Sequence, residues 1–328
     1  MQPGPEGEAD GQPWPAVLLD PLVQRIVNAA MTPPFLHELE PEDGRQALRE
    51  SQIHEVDDFD VDATFHVAPA GPSGLVGFWI FRPTGATGSL PTVLYVHGGR
   101  WMLGDAQTHA RLISELVRSA GVAAVVPEYS RTPEARYPVA IEECYALMDW
   151  AVRRAGELGL DADRLAVAGD CAGATMGTAL SLMAKRRSGP RIRAQLLYYP
   201  LTDAHCDSPS QREFATGFLL TREALRSYWR QYTDRSVQQN EPTASPLRAG
   251  LSELAGLPPT MVITAEADVA RDEGEQYADR LRHAGVEVTA ARFLGTIHDF
   301  VSLNPLRDSP PTRAAVLLGS AFLSRHLN

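Results

Sequence analysis

A doubly wound, mostly parallel sheet covered by helices, with a helical cap above it, is the fold class this sequence predicts. Three observations predict it. Short continuous apolar runs, the signature of strands buried on both faces, alternate with helix-length segments through most of the chain. One of these runs passes directly into a helix through Gly169-Asp170-Cys171-Ala172-Gly173. The alternation fails once, between Pro200 and about Pro246, where apolar residues recur at helical spacing instead.

The elements follow in order. Residues 1 to 16 are rich in Pro, Gly and acidic residues with nothing to bury, and read as a disordered lead. From Val17, the positions Val17, Leu18, Leu22, Val23, Ile26 and Val27 recur as one face of a helix, which Pro33-Pro34 terminates. A second short helix is expected over Pro41 to Ser51, so that 17–55 forms an N-terminal cap segment. The first part of the core, 56–201, opens with an antiparallel hairpin, Ala63 to Val67 and Val76 to Phe81 about the Gly/Pro turn at Ala70 to Gly74. Parallel strands are expected at Thr92 to Val96, Val122 to Val126, Leu165 to Ala168, Ala194 to Tyr198 and Thr260 to Thr264. Helices are expected at Thr108 to Ser119, Val139 to Leu158, Ala172 to Arg187, Arg271 to Ala284 and Thr312 to Leu327.

The segment 202–246, with Leu219, Ala224, Leu225, Tyr228, Trp229 and Tyr232, reads as a cap insertion. It belongs above the carboxyl ends of the strands, where open α/β sheets bind ligands, which makes Phe218 and Leu219 candidate substrate contacts. The core resumes over 247–328. No internal repeat and no linker divides the chain.

Composition narrows the function. A chain of 328 residues that is 44% hydrophobic buries a sizeable core. Its net charge of -11 gives no electrostatic footing on phosphate backbones or anionic membranes, which speaks against a nucleic-acid partner. No apolar run approaches the roughly 18 residues that span a bilayer. The first residues lack the basic and apolar regions of an export signal, so a cytoplasmic location is expected. Cys144, Cys171 and Cys206 have no metal-ligand spacing, which fits free thiols in a reducing compartment and implies neither a metal nor an organic cofactor. The number of copies in solution stays open, a homodimer included.

The sharpest chemical signal is the strand-to-helix passage itself. Two glycines flank one nucleophilic side chain, as in the Gly-x-Ser-x-Gly nucleophile elbow, with cysteine in the serine position. The glycines serve a strained turn in which a Cβ would meet neighbouring backbone. At the helix start a thiolate gains from the macrodipole and the local N–H donors. Upstream, strand Thr92 to Val96 ends in His97-Gly98-Gly99-Arg100, similar to the loop that offers backbone N–H groups to an oxyanion.

Together with Pro127-Glu128-Tyr129-Ser130-Arg131-Thr132-Pro133-Glu134, Ala265-Glu266-Ala267-Asp268 and Gly295-Thr296-Ile297-His298, these passages resemble the bacterial hormone-sensitive-lipase-like esterases of the α/β-hydrolase fold. The resemblance runs from about Leu19 onward. It implies a triad of Cys171, Asp268 and His298, and an oxyanion hole from Gly98, Gly99 and Ala172. It also implies a small-molecule acyl substrate. The residues agree, because Asp268 closes one strand and His298 follows the next, so both project where Cys171 emerges. Asp170 is expected to support the elbow. Glu128, Arg131 and Glu134 are expected to form a buried ion-pair network that braces the loops, and Cys144 and Cys206 to pack.

Four positions depart from the family pattern: Cys171, Arg100, Ala174 and Asp299, where the family has serine and three glycines. Arg100 keeps its backbone N–H, and its guanidinium is a candidate partner for a substrate carboxylate or phosphate. The expected activity is cleavage of a small carboxylic ester or thioester through a cysteinyl acyl-enzyme. Two alternatives stand beside it: transfer of the acyl group to an amine, alcohol or thiol, and a non-catalytic ligand-binding protein on the same fold.

Overall fold

The structure is a computed structural model that describes residues 17–53 and 60–328. The expected disordered lead lies outside the described residues. Eight strands form one sheet in the order β1-β2-β4-β3-β5-β6-β7-β8. The hairpin β1 (Val61–Ala68) and β2 (Val76–Pro83) is antiparallel, and β2 also runs antiparallel to β4 (Ala123–Pro127). All other neighbours, β3 (Leu90–Val96), β5 (Leu160–Asp170), β6 (Ile192–Tyr198), β7 (Thr260–Ala267) and β8 (Val288–Ile297), pair in parallel. Five of the six parallel strands, β3 to β7, are buried along most of their length, which accounts for the near-continuous Val, Leu and Ala runs, while the edge strand β8 is largely exposed.

The cap segment at the N-terminus carries α1 (Pro21–Ala29) and α2 (Pro41–Ser51). Helices α3 (Ala110–Ala120), α4 (Val139–Arg153), the one-turn α5 (Ala155–Leu158) and α6 (Ala172–Arg187) follow the strands. The segment 202–246 holds α7 (Pro209–Glu213), α8 (Arg222–Tyr232) and α9 (Ser236–Gln239). A one-turn α10 (Leu251–Leu254), α11 (Arg271–His283) and α12 (Pro310–Leu327) complete the chain. Helices α3 and α12 pack on each other, while α6 packs beside α4 and shares an apolar cluster with α11.

Several boundaries differ from expectation for local reasons. Helix α1 begins at Pro21, because the Asp20 side chain accepts from the Leu22 N–H at 2.9 Å and Pro21 tolerates the first helical position. The helix expected over 139–158 breaks at Arg154, and its continuation ends at Gly159 in the left-handed conformation. Strand β5 starts at Leu160, five residues early. Its first half is the polar stretch Asp161 to Arg164, and a register shift separates it from the apolar half.

The N-terminal segment is tied to the loops above the sheet. Arg45 on α2 donates to the carbonyls of Met102 at 3.0 Å and Thr132 at 2.9 Å and pairs with Glu134 at 2.7 Å. The Gln52 amide donates to the carbonyls of Thr108 and Ser302, both at 2.8 Å. Buried polar groups of this kind stabilise only when every partner is present, so these bonds fix the register of the segment over the core. The expected network among Glu128, Arg131 and Glu134 does not form. Glu128 accepts from the Trp79 indole at 3.1 Å and the Ala106 N–H at 3.2 Å, Arg131 donates to the Gly104 carbonyl at 2.6 Å, and Glu134 turns to Arg45. Each braces a loop separately, and their partners come from elements that sequence spacing does not connect.

Candidate active site

The carboxyl ends of β3, β5, β7 and β8 converge on one point. Cys171 caps α6 with φ 52° and ψ −124°, a strained combination for a residue with a side chain. Two glycines make it attainable. A Cβ on Gly173 would lie 1.9 Å from the Val96 carbonyl oxygen, and one on Gly169 2.6 Å from that same atom. The elbow is thus pressed against the end of β3, and Cys171 is fully buried at its tip. Ala174, one residue on, is tolerated because its side chain enters the cluster between α6 and α11.

His298 follows β8 and Asp268 follows β7. The His298 Nδ1 lies 2.7 Å from Asp268 Oδ2, with both residues about 1% exposed. The other ring nitrogen, Nε2, has no hydrogen-bond partner among the described residues. The Cys171 Sγ, a ring nitrogen of His298 and a carboxylate oxygen of Asp299 lie within 4.8 Å of one another. Burial alone would lower the pKa of His298, but the carboxylate of Asp268, the Cys171 side chain and Asp299 outweigh it and hold the imidazole well above its ordinary value. A thiol beside an imidazole oriented by a carboxylate is the layout of nucleophilic acyl transfer.

A second buried network stands behind the elbow. Asp170 accepts from the Tyr95 hydroxyl at 2.7 Å and the Gly98 N–H at 3.0 Å, and its other oxygen lies 3.3 Å from His109 Nε2. Despite complete burial, His109 and Tyr95 keep the Asp170 carboxyl below its usual range. Burial would lower His109, yet Asp170 raises it. Neighbouring His97 is pushed down to about 3 by burial and by His109, and so stays neutral.

This network corrects the oxyanion assignment. The Gly98 N–H is consumed by Asp170, and its lack of a side chain serves that contact, since a Cβ there would meet Asp170 Oδ2 at 2.2 Å. The N–H groups of Gly99, Arg100 and Ala172 take no protein acceptor among the described residues. Gly99, Arg100 and Trp101 all have positive φ, which turns this loop over the elbow. Trp101 then stacks on Tyr232 at 4.3 Å and meets Trp229 at 4.4 Å, so the cap helix α8 clamps the loop from above.

The Arg100 side chain also differs from expectation. It is buried and paired with Asp299, beneath the ring of Tyr228 at 5.9 Å. Burial disfavours its charge, while Asp299 and Cys171 favour it and prevail. The pair borders a cavity of about 360 Å³ between the two cap segments, lined by Ile26, Phe35, Leu36, Leu219, Ala224 and Tyr228 among others. Leu219 lines it as expected. Phe218 does not, because its ring packs edge-on against Phe214 at 5.3 Å. Arg100 and Asp299 line the cavity, and a carboxylate oxygen of Asp299 lies within 4.8 Å of the Cys171 Sγ, so the pair stands between the cavity and the buried thiol's surroundings.

The profile of the alpha/beta hydrolase fold matches residues 93–302, well over half of the chain. The chain belongs to that family. Among its relatives, the esterase LipI of Mycobacterium tuberculosis is 32% identical over 91% of this chain and 92% of its own length. A putative alpha/beta hydrolase, R526, of Acanthamoeba polyphaga mimivirus is 36% identical over 90% of this chain and 84% of its own. A thermostable esterase from Pseudomonas putida superposes with a TM-score of 0.93 at 38% identity, covering 96% of this chain and 99% of that one. In this member of the family Cys171, Asp268 and His298 follow β5, β7 and β8 at the same sheet edge, and no described helix is long and apolar enough to cross a membrane.

Sequence reasoning missed four residues of the site. His109 gave no signal, since its pairing with Asp170 closes across 61 positions (109 to 170) of unrelated pattern. Arg45, Gln52 and Tyr95 act through carbonyls and a carboxylate that only the folded chain brings to them.

Proposed function

We propose that this carboxylic ester hydrolase cleaves small, uncharged carboxylic esters through a thioester acyl-enzyme on Cys171, with His298 as the base and Asp268 as its orienting acid. The observation that carries the reading is the bond of 2.7 Å between His298 Nδ1 and Asp268, which leaves Nε2 for the side chain at the tip of the elbow. Attack of Sγ on the ester carbonyl forms the C–S bond. The developing oxyanion is received by the Gly99, Arg100 and Ala172 N–H groups, preorganised donors of the kind that lower such barriers most. The alcohol leaves with the proton held by His298, and water, deprotonated by the same imidazole, releases the acid and the thiol.

The substrate class rests on the cavity. Its volume of about 360 Å³ lies at the small end for ligand pockets, and its walls are largely apolar. Arg100, already neutralised by Asp299, does not offer a spare charge to an anionic substrate. That supports uncharged esters over the carboxylates and phosphates expected from the sequence. The relatives named as esterases support hydrolysis over acyl transfer.

The test is pre-steady-state hydrolysis of p-nitrophenyl acetate and butyrate. A burst stoichiometric with enzyme is expected in the wild type, and Cys171→Ala is expected to lose both burst and turnover, by about 10³-fold or more. Cys144→Ala and Cys206→Ala should retain both. Turnover retained by Cys171→Ala would contradict the assignment.

A further inference from the structure

Two of the four departures from the esterase pattern meet at one point, and each adds a metal ligand to a place where the pattern has one. We propose that Cys171, His298 and Asp299 form a binding site for a thiophilic divalent cation of the zinc class, which blocks the nucleophile reversibly. The inference goes beyond the esterase reading. The metal site rests on where three ligand atoms lie and holds whether or not Cys171 is the nucleophile, while the block on activity rests on that reading.

The geometry is close to what the metal needs. Donors bound to one tetrahedral zinc at roughly 2.0 to 2.3 Å stand roughly 3 to 4 Å from each other. Here the three donor atoms lie within 4.8 Å of one another, and His298 Nε2 stands 3.5 Å from Asp299 Oδ1. All three side chains are about nine-tenths buried or more, so little rotamer freedom remains to be lost. Nε2 is a buried imidazole nitrogen with no hydrogen-bond partner among the described residues, so a metal there displaces a proton and breaks no protein hydrogen bond. Asp268 on Nδ1 supplies the outer-shell carboxylate that metal-bound histidines commonly have. Arg100 is a second such partner, because it holds Asp299 Oδ2 and leaves Oδ1 for the metal.

Charge favours the same occupant. As a ligand set, a Cys171 thiolate with the carboxylates of Asp268 and Asp299, beside the guanidinium of Arg100 and a neutral His298, sums formally to two negative charges. A divalent cation cancels that sum, where one shared proton cancels only half of it. The balance is explicit. Without metal, the thiol and imidazole hold one proton between them. The cation forms bonds to Sγ, Nε2 and Oδ1, releases that proton to solvent and takes a water as fourth ligand. A serine in place of Cys171 and a glycine in place of Asp299 would leave His298 as the one strong donor.

The test uses the full chain, freed of metal by a chelator, near neutral pH. Equilibrium dialysis should find one Zn²⁺ per chain, with loss of esterase activity that a chelator restores. Co²⁺ should give a thiolate charge-transfer band in the near ultraviolet, and calorimetry in two buffers should count one proton released per metal. Cys171→Ser, shown to be folded by circular dichroism, should lose the band, and Cys144→Ala with Cys206→Ala should keep it. Asp299→Asn should weaken zinc binding tenfold or more, read by dialysis independently of activity. No stoichiometric binding at roughly 100 μM Zn²⁺, a weak affinity for such a site, would overturn the proposal. So would a band that survives Cys171→Ser, or an affinity unchanged in Asp299→Asn.

Discussion

The back of the site and its front are built on different principles. Behind Cys171, backbone presses on backbone: Gly173 and Gly169 leave room for the Val96 carbonyl, and Gly98 leaves room for Asp170. In front, side chains do the work, with Arg100 and Asp299 paired across 199 positions and Tyr228 above them. At the back, a side chain added at Gly98, Gly169 or Gly173 would collide with backbone or with Asp170. At the front stand two of the four departures from the family pattern, Arg100 and Asp299, which pair with each other. Catalytic geometry is thus set by sterics, and access to it by pairing.

The largest effect is expected from breaking the back. Gly173→Ala places a Cβ where the nearest carbonyl oxygen is 1.9 Å away, a contact that backbone must move to relieve. Thermal unfolding should show a loss of about 4 kcal/mol or more, or no folded protein. The adjacent Ala174 already carries a Cβ without cost, so the two neighbours form an internal control.

That contrast also marks what was legible in the sequence. The alternating runs, the strand-to-helix turn at Cys171 and the placement of Asp268 and His298 after successive strands were legible, since a buried strand reads as an apolar run and a steric demand reads as glycine. The polar half of β5 was not, because Leu160 and Asp161 pair with Leu90 and Pro91 of β3 ahead of a register shift, and no apolar run marks the stretch from Asp161 to Arg164. The role of Gly98 was misread for a related reason. Its lack of a side chain signals a close approach, but the partner turned out to be Asp170 and not an oxyanion. Arg100, His109 and Arg45 find their partners across folded distance, where no periodicity points.

Next in size is a double-mutant cycle on the front. Asp299→Gly alone leaves Arg100 buried without its counter-ion, and Arg100→Gly alone leaves Asp299 so. Each should cost about 3 kcal/mol in denaturant unfolding. The double variant should cost about 3 to 5 kcal/mol instead of the additive sum of about 6, a coupling of about 1 to 3 kcal/mol. It should also admit longer acyl chains, since two side chains that line the cavity near the thiol are gone. Additive losses would show that the pair does not act as a unit.

Asp170→Asn tests the network behind the elbow and gives it a pH signature. The folded pKa of His109 lies above its ordinary 6.5, so the stabilisation is complete below that value and fades as pH rises through the folded one. The folded pKa of Asp170 lies below its ordinary 3.8, so its share is present above that value and lost as pH falls. Asp170→Asn should therefore cost most between about pH 4 and 6.5, on the order of 2 kcal/mol, and less in alkali. A cost independent of pH would rule out the charged pair. The smallest effect separates two neighbours in the cap: Leu219→Ala, on the cavity wall, should raise KM a few-fold for butyrate esters through lost apolar contact, and Phe218→Ala should not.

The central claim is that the acyl group passes through sulfur at the tip of the elbow. Its most direct test is peptide-mapped mass spectrometry of enzyme quenched with acid during turnover of a p-nitrophenyl ester. The account predicts one acyl group per chain on the peptide containing Cys171, released by hydroxylamine as a thioester is and absent from Cys171→Ala. An acyl group on any serine, or steady turnover by a Cys171→Ala protein with no adduct at all, would contradict it.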